Sequence, residues 1–600
     1  MAVFLRRLQK KEAVGKRKYS IRVRASPQAR LYILFGSMVL FGLCIAVRLF
    51  FLMVLEHNFY STLAIGSHEM SRELFPIRGS IFVQDSRTGE EYPLAINLDS
   101  FLVFADTREI TSDDDAEHIA EQLANTFSYT DEEKLALFLK LNKRSDPYEP
   151  IEDRVDEVTV NTLRALELRG IEFLRRSDRF YPEGPLAAQT VGFLGKNEKG
   201  ESVGRYGIEG YWNGELQGKG GFLEGFRSAT GGWIPLAHRV FQEPEDGADI
   251  LLTIDRSVEH YACERLRKGF IEYEAESASL VMLDPKTGAI RALCSIPDFD
   301  PNTYQTAKTP SVYNNTAIFT PYEPGSIFKP MTMAAALDTD AVRPDSTFFD
   351  AGHRDGVCQK SIKNAGEKNY GTQTMTGILQ NSINTGMVHV VEELGKNTFR
   401  DYVEAFGFGV KEGVELDTEG EGTIDALYEH ARDALDCYTA TASFGQGITV
   451  TPLQMATAFA AMVNGGVMMR PSIIDEIRYP DGRVERRHPK EIRQVISSRA
   501  STLISSMLVQ VVEHGYGGRA KVPGYYVGGK TGTAQIPGPG GYTEDTNHSF
   551  VGFAPLDNPK FVMVIKYEKP KRTYAEVTAA PVFADIATFA LQYYEVPPTR

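Results

Sequence analysis

The segment EPGSIFKPM contains a serine and a lysine at a spacing that suits nucleophilic catalysis. A serine hydroxyl is a weak nucleophile until a neighbouring base removes its proton. If the segment opens a helix, Ser326 and Lys329 at positions i and i+3 share one face, so the amine can reach the hydroxyl. Lysine acts as such a base only when burial and nearby positive charge lower its pKa. Because about one or two S-x-x-K spacings arise by chance in a chain of this size, the pair needs support from elsewhere.

Two later segments, NSINTG and GGKTGTA, supply that support. The residues of interest are Ser382, Asn384, Lys530, Thr531, Gly532 and Thr533. Either segment alone is typical of an ordinary loop or strand. In this order, however, the three segments fit one acyl-transfer site with a nucleophile and base, a proton relay, and an edge strand that pairs with the substrate backbone. Gly532 would leave room for close approach on that strand, and Lys530 would place a positive charge beside Lys329.

The segment GYYVGGKT also matches G-x-x-x-x-G-K-[ST], the phosphate-cradling loop of nucleotide-binding enzymes. That interpretation requires a strand before the glycines and a helix that begins at the lysine and threonine. Here the residues between the glycines themselves favour a strand. The following GTAQIPGPGG contains two prolines and four glycines, which cannot open a helix. The sequence therefore predicts no nucleotide partner.

A second candidate nucleophile, Ser202, lies in GESVG, which matches the G-x-S-x-G elbow of α/β-hydrolases. The elbow needs a strand before it and a helix after it, whereas GKNEKG and RYGIEG on either side are typical of loops, so we interpret Ser202 as part of a surface turn. The eleven histidines and five cysteines show no metal-site spacing, so neither a metal nor another cofactor is predicted. Cys44 lies in the apolar stretch near the N-terminus, and the other cysteines are Cys263, Cys294, Cys358 and Cys437. A disulfide between Cys358 and Cys437 is one hypothesis.

The N-terminal end combines a basic tail with an apolar stretch. Residues 1–30 contain ten Lys or Arg and one acid, although the 600-residue chain carries a formal net charge of −14. Residues 31–55 carry one charge, Arg48. About 20 apolar residues can span a bilayer as a helix, and basic flanks stay in the cytoplasm. We therefore expect a cytoplasmic tail (1–30), a single span of the cytoplasmic membrane (31–55) and an exported remainder, which argues against nucleic acid as a partner of the basic tail.

The pattern of elements changes near residue 246. Residues 56–245 combine a hairpin pattern in FPIRGSIFVQDSRTGEEYPLAIN with two amphipathic helices, DDDAEHIAEQLANTF and DEEKLALFLKLN. The glycine-rich stretch from Arg179 to Gly221 is predicted to form loops and turns. From residue 246 onward, strands at both ends enclose several helical segments. This order predicts an α+β domain with an antiparallel sheet and a helical insertion.

The chain resembles the class B penicillin-binding proteins, which are membrane-anchored peptidoglycan D,D-transpeptidases. In its second half the resemblance rests on EPGSIFKPM, NSINTG, SFGQGITVTPLQMA and GGKTGTAQ; in its first half it rests on Arg78–Gly79, Leu94–Ala95, RFYPEGPLAAQTVGFLG, and GIEGYWNGEL around Glu209. It implies an elongated α+β pedestal of the dimerisation type over residues 56–245 and a penicillin-binding/β-lactamase-like transpeptidase domain over residues 246–600. Length and the short basic tail are most similar to the division-type, septal member, although VQDSRTG departs from the usual hairpin.

The resemblance implies two-step acyl transfer through an acyl-Ser326 intermediate, which β-lactams would also form. Lys329 would be the base, and Ser382 with Lys530 would pass a proton to the leaving D-alanine. The substrate would be held by Asn384, Thr531, Gly532 and Thr533. The implied partners are D-Ala-D-Ala stem peptides, β-lactams and, through span and pedestal, a lipid II polymerase and division proteins. An elongation-type transpeptidase, a D,D-carboxypeptidase or β-lactamase that uses water, and a non-catalytic β-lactam-binding scaffold remain alternatives.

Overall fold

A computed structural model describes residues 27–50, 69–74, 76–226, 240–428 and 435–600. Up to residue 226 the elements are α1 (Pro27–Phe50), β1 (Glu69–Leu74), β2 (Ile81–Gln84), β3 (Glu91–Ala105), α2 (Asp113–Phe127), α3 (Asp131–Leu141), β4 (Glu149–Val155), α4 (Glu157–Ala165), β5 (Ile171–Phe180), α5 (Ala188–Val191), β6 (Phe193–Lys196), β7 (Ser202–Arg205), α6 (Gly207–Tyr211), α7 (Asn213–Gln217) and β8 (Gly221–Phe226).

From residue 240 the elements up to α11 are β9 (Val240–Gln242), β10 (Asp249–Asp255), α8 (Arg256–Glu272), β11 (Ser277–Leu283), β12 (Ile290–Ile296), α9 (Thr316–Phe319), α10 (Lys329–Asp338), β13 (Thr347–Asp350), β14 (His353–Arg354), β15 (Ile362–Lys363), β16 (Gly371–Thr374) and α11 (Met375–Gln380). The remainder are α12 (Asn384–Leu394), α13 (Lys396–Ala405), α14 (Cys437–Ala442), α15 (Pro452–Val463), β17 (Val467–Met469), β18 (Ile474–Arg478), β19 (Val484–Arg486), β20 (Glu491–Gln494), α16 (Ser498–His514), β21 (Gly528–Gly538), β22 (Gly541–Ala554), β23 (Phe561–Glu568) and α17 (Ala579–Tyr593).

The chain divides into two compact units, residues 1–74 with 221–243, and residues 75–220 with 244–600. The described part of the first unit contains α1 and an antiparallel three-stranded sheet in the order β1-β8-β9. Among the described residues, no helix is both long and apolar enough to cross a membrane. The predicted span over residues 31–55 extends beyond Phe50 into residues that lie outside the described ranges.

The second unit holds a sheet that joins strands from both predicted domains. Its order is β19-β18-β10-β2-β3-β4, with β5 also paired to β3. The β2–β3 pair is the hairpin predicted from sequence. Strand β10, which the sequence placed at the start of the transpeptidase domain, pairs in parallel with β2 of the predicted pedestal. The boundary between residues 245 and 246 therefore falls just before β10, a strand of a sheet that both predicted domains share, and it stays a prediction.

The second large sheet is antiparallel and has five strands in the order β12-β11-β23-β22-β21. Side chains alternate between its faces, as the twofold period of a strand requires. Leu280 and Met282 enter one core together with residues of α8 and α17. Val281 and Leu283 enter the other core, which includes the central helices. The sheet thus lies between two helical layers, and both faces are buried.

The stretch between Arg179 and Gly221 was predicted as loops and turns, and that prediction was wrong. It contains the end of β5, the β6–β7 hairpin and three short helices, α5 to α7. Each of these helices and hairpin strands has only four or five residues, which is too short to give a readable periodicity. The helices stay in place because residues such as Ala188 and Ile208 are fully buried.

Four of the described cysteines form two disulfides. Cys358 pairs with Cys437, the pairing considered from sequence, and Cys263 pairs with Cys294. The second bond joins α8 to β12, and no spacing rule indicated it.

Candidate active site

Ser326 lies in a 3₁₀ turn, Gly325–Phe328, that leads directly into α10 at Lys329. In a 3₁₀ helix, residues i and i+3 are eclipsed, so the serine and the lysine share a face as expected. The turn is held from behind, because the Gly325 N–H donates to the Gly445 carbonyl at 2.9 Å. A side chain at Gly445 would meet the Gly325 carbonyl oxygen at 2.2 Å. This contact gives the SFGQG segment a direct part in placing Ser326.

Lys329 is completely buried beneath the turn, and its amino group is directed at the loop of NSINTG. Its Nζ donates to the Ser382 carbonyl at 2.6 Å, to Ser382 Oγ at 3.1 Å and to Asn384 Oδ1 at 2.8 Å. Ser382 has a φ of 53°, a left-handed conformation that is uncommon for non-glycine residues. Burial, and then the neighbouring Lys530, hold the pKa of Lys329 well below its ordinary value. A neutral amine in this position can accept a proton.

Lys530 reaches the same serine from β21. Its Nζ donates to Ser382 Oγ at 3.0 Å and to the Thr531 carbonyl at 2.9 Å. Burial alone lowers its pKa to about 7. Ser382 Oγ therefore lies between two lysine amines whose pKa values are both lowered. A hydroxyl in this position can pass a proton from one amine to the other.

Strand β21 is at the edge of the five-stranded sheet, as the sequence predicted. Thr531 and Thr533 line the cavity in front of it. The predicted role of Gly532 towards the substrate stays a prediction, but the structure gives this glycine a second role. A side chain there would meet Ser549 Oγ at 2.6 Å and Ile327 Cγ2 at 2.9 Å, so its missing side chain admits the Ser326 turn.

A cavity of about 340 Å³ lies where these segments meet. Five predicted site residues line it: Ser326, Ser382, Asn384, Thr531 and Thr533. Lys329 and Lys530 lie fully buried behind its wall. In the part of the chain that the structure describes, Ser326 Oγ makes no hydrogen bond. It is therefore free to meet a ligand that enters the cavity.

Sequence reasoning missed the carboxylate that holds the Asn384 loop. Asp350 is fully buried and accepts hydrogen bonds from Thr385 Oγ1 at 2.6 Å and from the Tyr370 N–H at 2.9 Å. Asn364 Nδ2 also donates to Asp350 Oδ2, at 2.9 Å. Nothing in the spacing of residues 350 to 385 indicated this cluster, because these three partners lie 14, 20 and 35 residues from Asp350.

The rim of the cavity was also missed. Tyr516 OH lies 3.3 Å from Tyr370 OH and accepts a hydrogen bond from Lys368 Nζ, also at 3.3 Å. All three line the cavity. Tyr516 follows α16, whereas the other two precede α11, so this contact joins segments far apart in the chain. No local sequence signal could have found it.

The two rival motifs can now be compared with the structure. Lys530 lies inside the eleven-residue strand β21, and no helix begins at Thr531. Its ammonium is directed at Ser382 rather than at a glycine loop. Ser202 is exposed at the start of β7 in a hairpin, with no helix directly after the GESVG segment. Neither motif has the strand–turn–helix context that its chemistry requires.

Comparison with known families shows which family the chain belongs to. The family described as "Penicillin binding protein transpeptidase domain" matches residues 278–588, and "Penicillin-binding Protein dimerisation domain" matches residues 73–252. The chain belongs to the class B penicillin-binding proteins. The predicted family is therefore confirmed, as is the predicted α+β transpeptidase fold with an N-terminal dimerisation domain; the predicted membrane helix and septal subtype stay predictions.

Individual relatives agree with the family matches. This penicillin-binding protein is 34% identical to Stage V sporulation protein D of Bacillus subtilis over 580 residues, which cover 95% of this chain and 86% of the relative. It is 29% identical over 568 residues to the probable peptidoglycan D,D-transpeptidase PbpC of Pseudomonas aeruginosa, with 93% and 94% covered. It is accordingly a serine-type peptidoglycan D,D-transpeptidase.

A solved structure supports the fold of the site. Penicillin binding protein 3 of Mycobacterium tuberculosis, complexed with aztreonam, matches with a TM-score of 0.66 and 25% identity over 88% of this chain and 98% of that chain. The same protein has also been solved with ampicillin. The transpeptidase fold of this family thus binds β-lactams.

Proposed function

We propose that Ser326 is the residue that this transpeptidase acylates and that Lys329 is its base. The observation that carries the proposal is the state of Lys329. Its amine is fully buried, and its pKa is lowered. Hydrogen bonds to Ser382 and Asn384 fix this amine three residues after Ser326, which lines the cavity. A neutral lysine amine at this place removes the proton that keeps a serine hydroxyl weakly nucleophilic.

In the first step, Ser326 Oγ attacks the carbonyl between the two terminal D-alanines of a stem peptide. The backbone N–H groups of Ser326 and Thr533 receive the oxyanion, and the loss of one such donor typically lowers the rate by about 10²- to 10³-fold. Lys530 and Ser382 then pass a proton to the departing D-alanine. The hydrogen bond between Lys530 Nζ and Ser382 Oγ at 3.0 Å supports this path.

The substrate backbone pairs with the free edge of β21, as peptides do when they extend a sheet. Thr531 and Thr533 bind the terminal carboxylate, and Asn384 binds the peptide amide. In the second step, an amine from a neighbouring stem peptide attacks the acyl-Ser326 ester and forms the cross-link. A β-lactam enters the same cavity and stays on Ser326, because no such amine displaces it.

We also propose that the protein is anchored in the cytoplasmic membrane by residues 31–55, with its tail in the cytoplasm and the catalytic part outside. The basic tail before an almost uncharged stretch supports this orientation. The division septum is the proposed place of action, with a lipid II polymerase and division proteins as partners of span and pedestal. One relative is named a peptidoglycan D,D-transpeptidase FtsI homolog, from Mesostigma viride.

The acylation proposal is tested by labelling the full chain with fluorescent penicillin. Ser326→Ala should abolish covalent labelling, whereas Ser202→Ala, the matched change in the rival GESVG motif, should leave it intact. Far-ultraviolet circular dichroism of both variants checks that they fold. Covalent labelling that persists in a folded Ser326→Ala protein would contradict the assignment.

The proposed septal role has a separate test. Cells that depend on the Ser326→Ala protein should fail to complete septa, and cells with wild-type protein should divide. Rescue of septation by the variant would point to a scaffold. Widened cells with normal septa would point to a role in lateral-wall elongation.

A further inference from the structure

A buried carboxylic acid outside the transpeptidase site has no assigned task. Glu259 lies on α8, and only 1% of its surface is exposed. Its Oε2 accepts a 2.7 Å hydrogen bond from the Leu293 N–H, whereas Oε1 has no partner among the described residues. Burial raises the pKa of Glu259 to about 7. The group can therefore hold or release a proton near neutral pH, and it has one oxygen free to do so.

The nearest reactive group is the disulfide between Cys263 and Cys294. Cys263 follows Glu259 by four residues on α8, which places both side chains on one helix face. Cys294 follows Leu293, the residue that donates to Glu259. A carboxylate oxygen of Glu259 and the two sulfurs all lie within 4.8 Å of one another. Because both sulfurs are held in the disulfide, neither is a thiolate that could bind a metal ion in this state.

A cavity of about 190 Å³ gives access to this group. Glu259, Cys263 and Cys294 all line it. Cys263 is partly exposed, whereas Cys294 is only 3% exposed. A thiol that enters the cavity therefore reaches the Cys263 sulfur first, and the Cys294 sulfur becomes the leaving group. A thiolate left in this apolar position would be unstable without a proton.

We propose that Cys263–Cys294 is a thiol–disulfide exchange site for a dithiol and that Glu259 carries the proton of the exchange. One thiolate of the dithiol attacks Cys263 Sγ, and the bond between the two protein sulfurs breaks. Its electron pair passes to Cys294 Sγ, which takes the proton of the Glu259 carboxyl. A mixed disulfide remains on Cys263.

The second thiol of the dithiol completes the exchange. As a thiolate it attacks the mixed disulfide, closes the disulfide of the dithiol and releases Cys263, which takes a proton from water. Glu259 regains its own proton from water. Two electrons and two protons have then passed from the dithiol to the protein. In the reverse direction, the Glu259 carboxylate accepts the proton of Cys294 when an oxidised dithiol closes the bond again.

The other charged groups around the cavity are occupied or in solvent. Glu183 is paired with Arg256 at 2.9 Å. Arg267 is paired with Asp298 and, at 3.3 Å, with Glu264 on its own helix. His260 is exposed. Among the described residues that line the cavity, Glu259 is thus the carboxyl without an ionic partner. His260 also lines the cavity, and loss of the pH response in Glu259→Gln distinguishes the two groups.

The test uses the full chain, with dithiothreitol as the dithiol, between pH 6 and pH 9. Freed thiols are trapped by alkylation at each time, and mass spectrometry follows the peptides of both disulfides separately. The rate constant for reduction of the Cys263–Cys294 disulfide, divided by the concentration of dithiothreitol thiolate, should fall as the pH rises through about 7. In Glu259→Gln it should be at least about tenfold lower at pH 6 and independent of pH. Cys358–Cys437 serves as the internal control, with equal rates in both proteins.

Two results would overturn the proposal. One is a thiolate-corrected rate in the wild type that does not change with pH, which decides the matter even if Glu259→Gln fails to fold. The other concerns which sulfur is attacked. Glutathione, which has a single thiol, should be trapped as a mixed disulfide on Cys263. A mixed disulfide on Cys294 instead would refute the proposed order of attack. Retained labelling by fluorescent penicillin confirms that each protein measured is native.

Discussion

The carboxylate of Glu209 holds the guanidiniums of two arginines, Arg179, which is buried, and Arg78, whose side chain is 10% exposed. Its Oε1 accepts from Arg179 Nε at 2.7 Å, and its Oε2 accepts from Arg78 Nε at 2.8 Å. The side chains of Glu209 and Arg179 are 0% and 2% exposed. Burial alone would raise the pKa of Glu209, but the two guanidiniums outweigh it and lower that pKa. Arg179 also donates to the Gly79 carbonyl at 2.8 Å, so the cluster ties β5 to the start of β2.

Glu209→Gln removes the negative charge that, among the described residues, these two guanidiniums share. Removal of one partner from a buried ion pair costs about 3–5 kcal/mol, because the remaining charge stays in a medium that solvates it poorly. Since about 1.4 kcal/mol corresponds to a factor of ten, exchange of the β5 amides with deuterium should accelerate by roughly two to three and a half powers of ten. Hydrogen-exchange mass spectrometry of the full chain measures this directly.

The pair between Lys219 and Glu245 provides a matched control. Its distance is also 2.7 Å, but the two side chains are 76% and 68% exposed. Glu245→Gln should change local exchange no more than about fivefold, the effect of an ordinary surface ion pair. Equal acceleration in both variants would refute the claim that burial rather than distance decides the contribution.

The same cluster has a defined pH dependence. A carboxyl whose native pKa is lowered contributes its stability fully above its unfolded value of about 4.3 and loses it as the pH falls through the native value. The intrinsic rate of amide exchange itself falls in acid, so each observed rate is first divided by it. The corrected rate for the β5 amides of the wild type should then be higher in acid than at neutral pH. Glu209→Gln should lack this component, since it has no carboxyl to protonate.

Two further predictions concern the catalytic half. Because the pKa of Lys530 is about 7 and its proton is passed to the leaving group, acylation of Ser326 by fluorescent penicillin should slow as the pH rises above about 7. The residual acylation of Lys530→Gln should show no such inflection. The same pH profile in the variant as in the wild type would contradict the relay. Cys358 and Cys437 are 79 residues apart, so replacement of both by serine should lower the free energy of unfolding by about 4 kcal/mol, measured by urea denaturation under non-reducing conditions. A change below about 1 kcal/mol would mean that the loop is already restricted in the unfolded chain.

Much of the fold follows from local sequence. The strands β11, β22 and β23 alternate between two cores, and α2 and α3 begin at Ser112 and Thr130, whose side chains cap them. Such patterns involve only a few neighbouring residues, so they can be recognised in the sequence without the tertiary structure. The short helices between β5 and β8 lack them. Their stability comes from burial against other parts of the chain.

The sequence by itself determined the chemical groups of the site and their order, because Ser326 and Lys329 lie three residues apart on one turn. Only the tertiary structure decided what surrounds them. Lys530 is 148 residues from Ser382, yet their side chains are 3.0 Å apart. The lowered pKa values of both lysines arise from burial that no spacing reveals. Desolvation and charge proximity depend on the packing of distant segments, so they come into being only when the chain has folded.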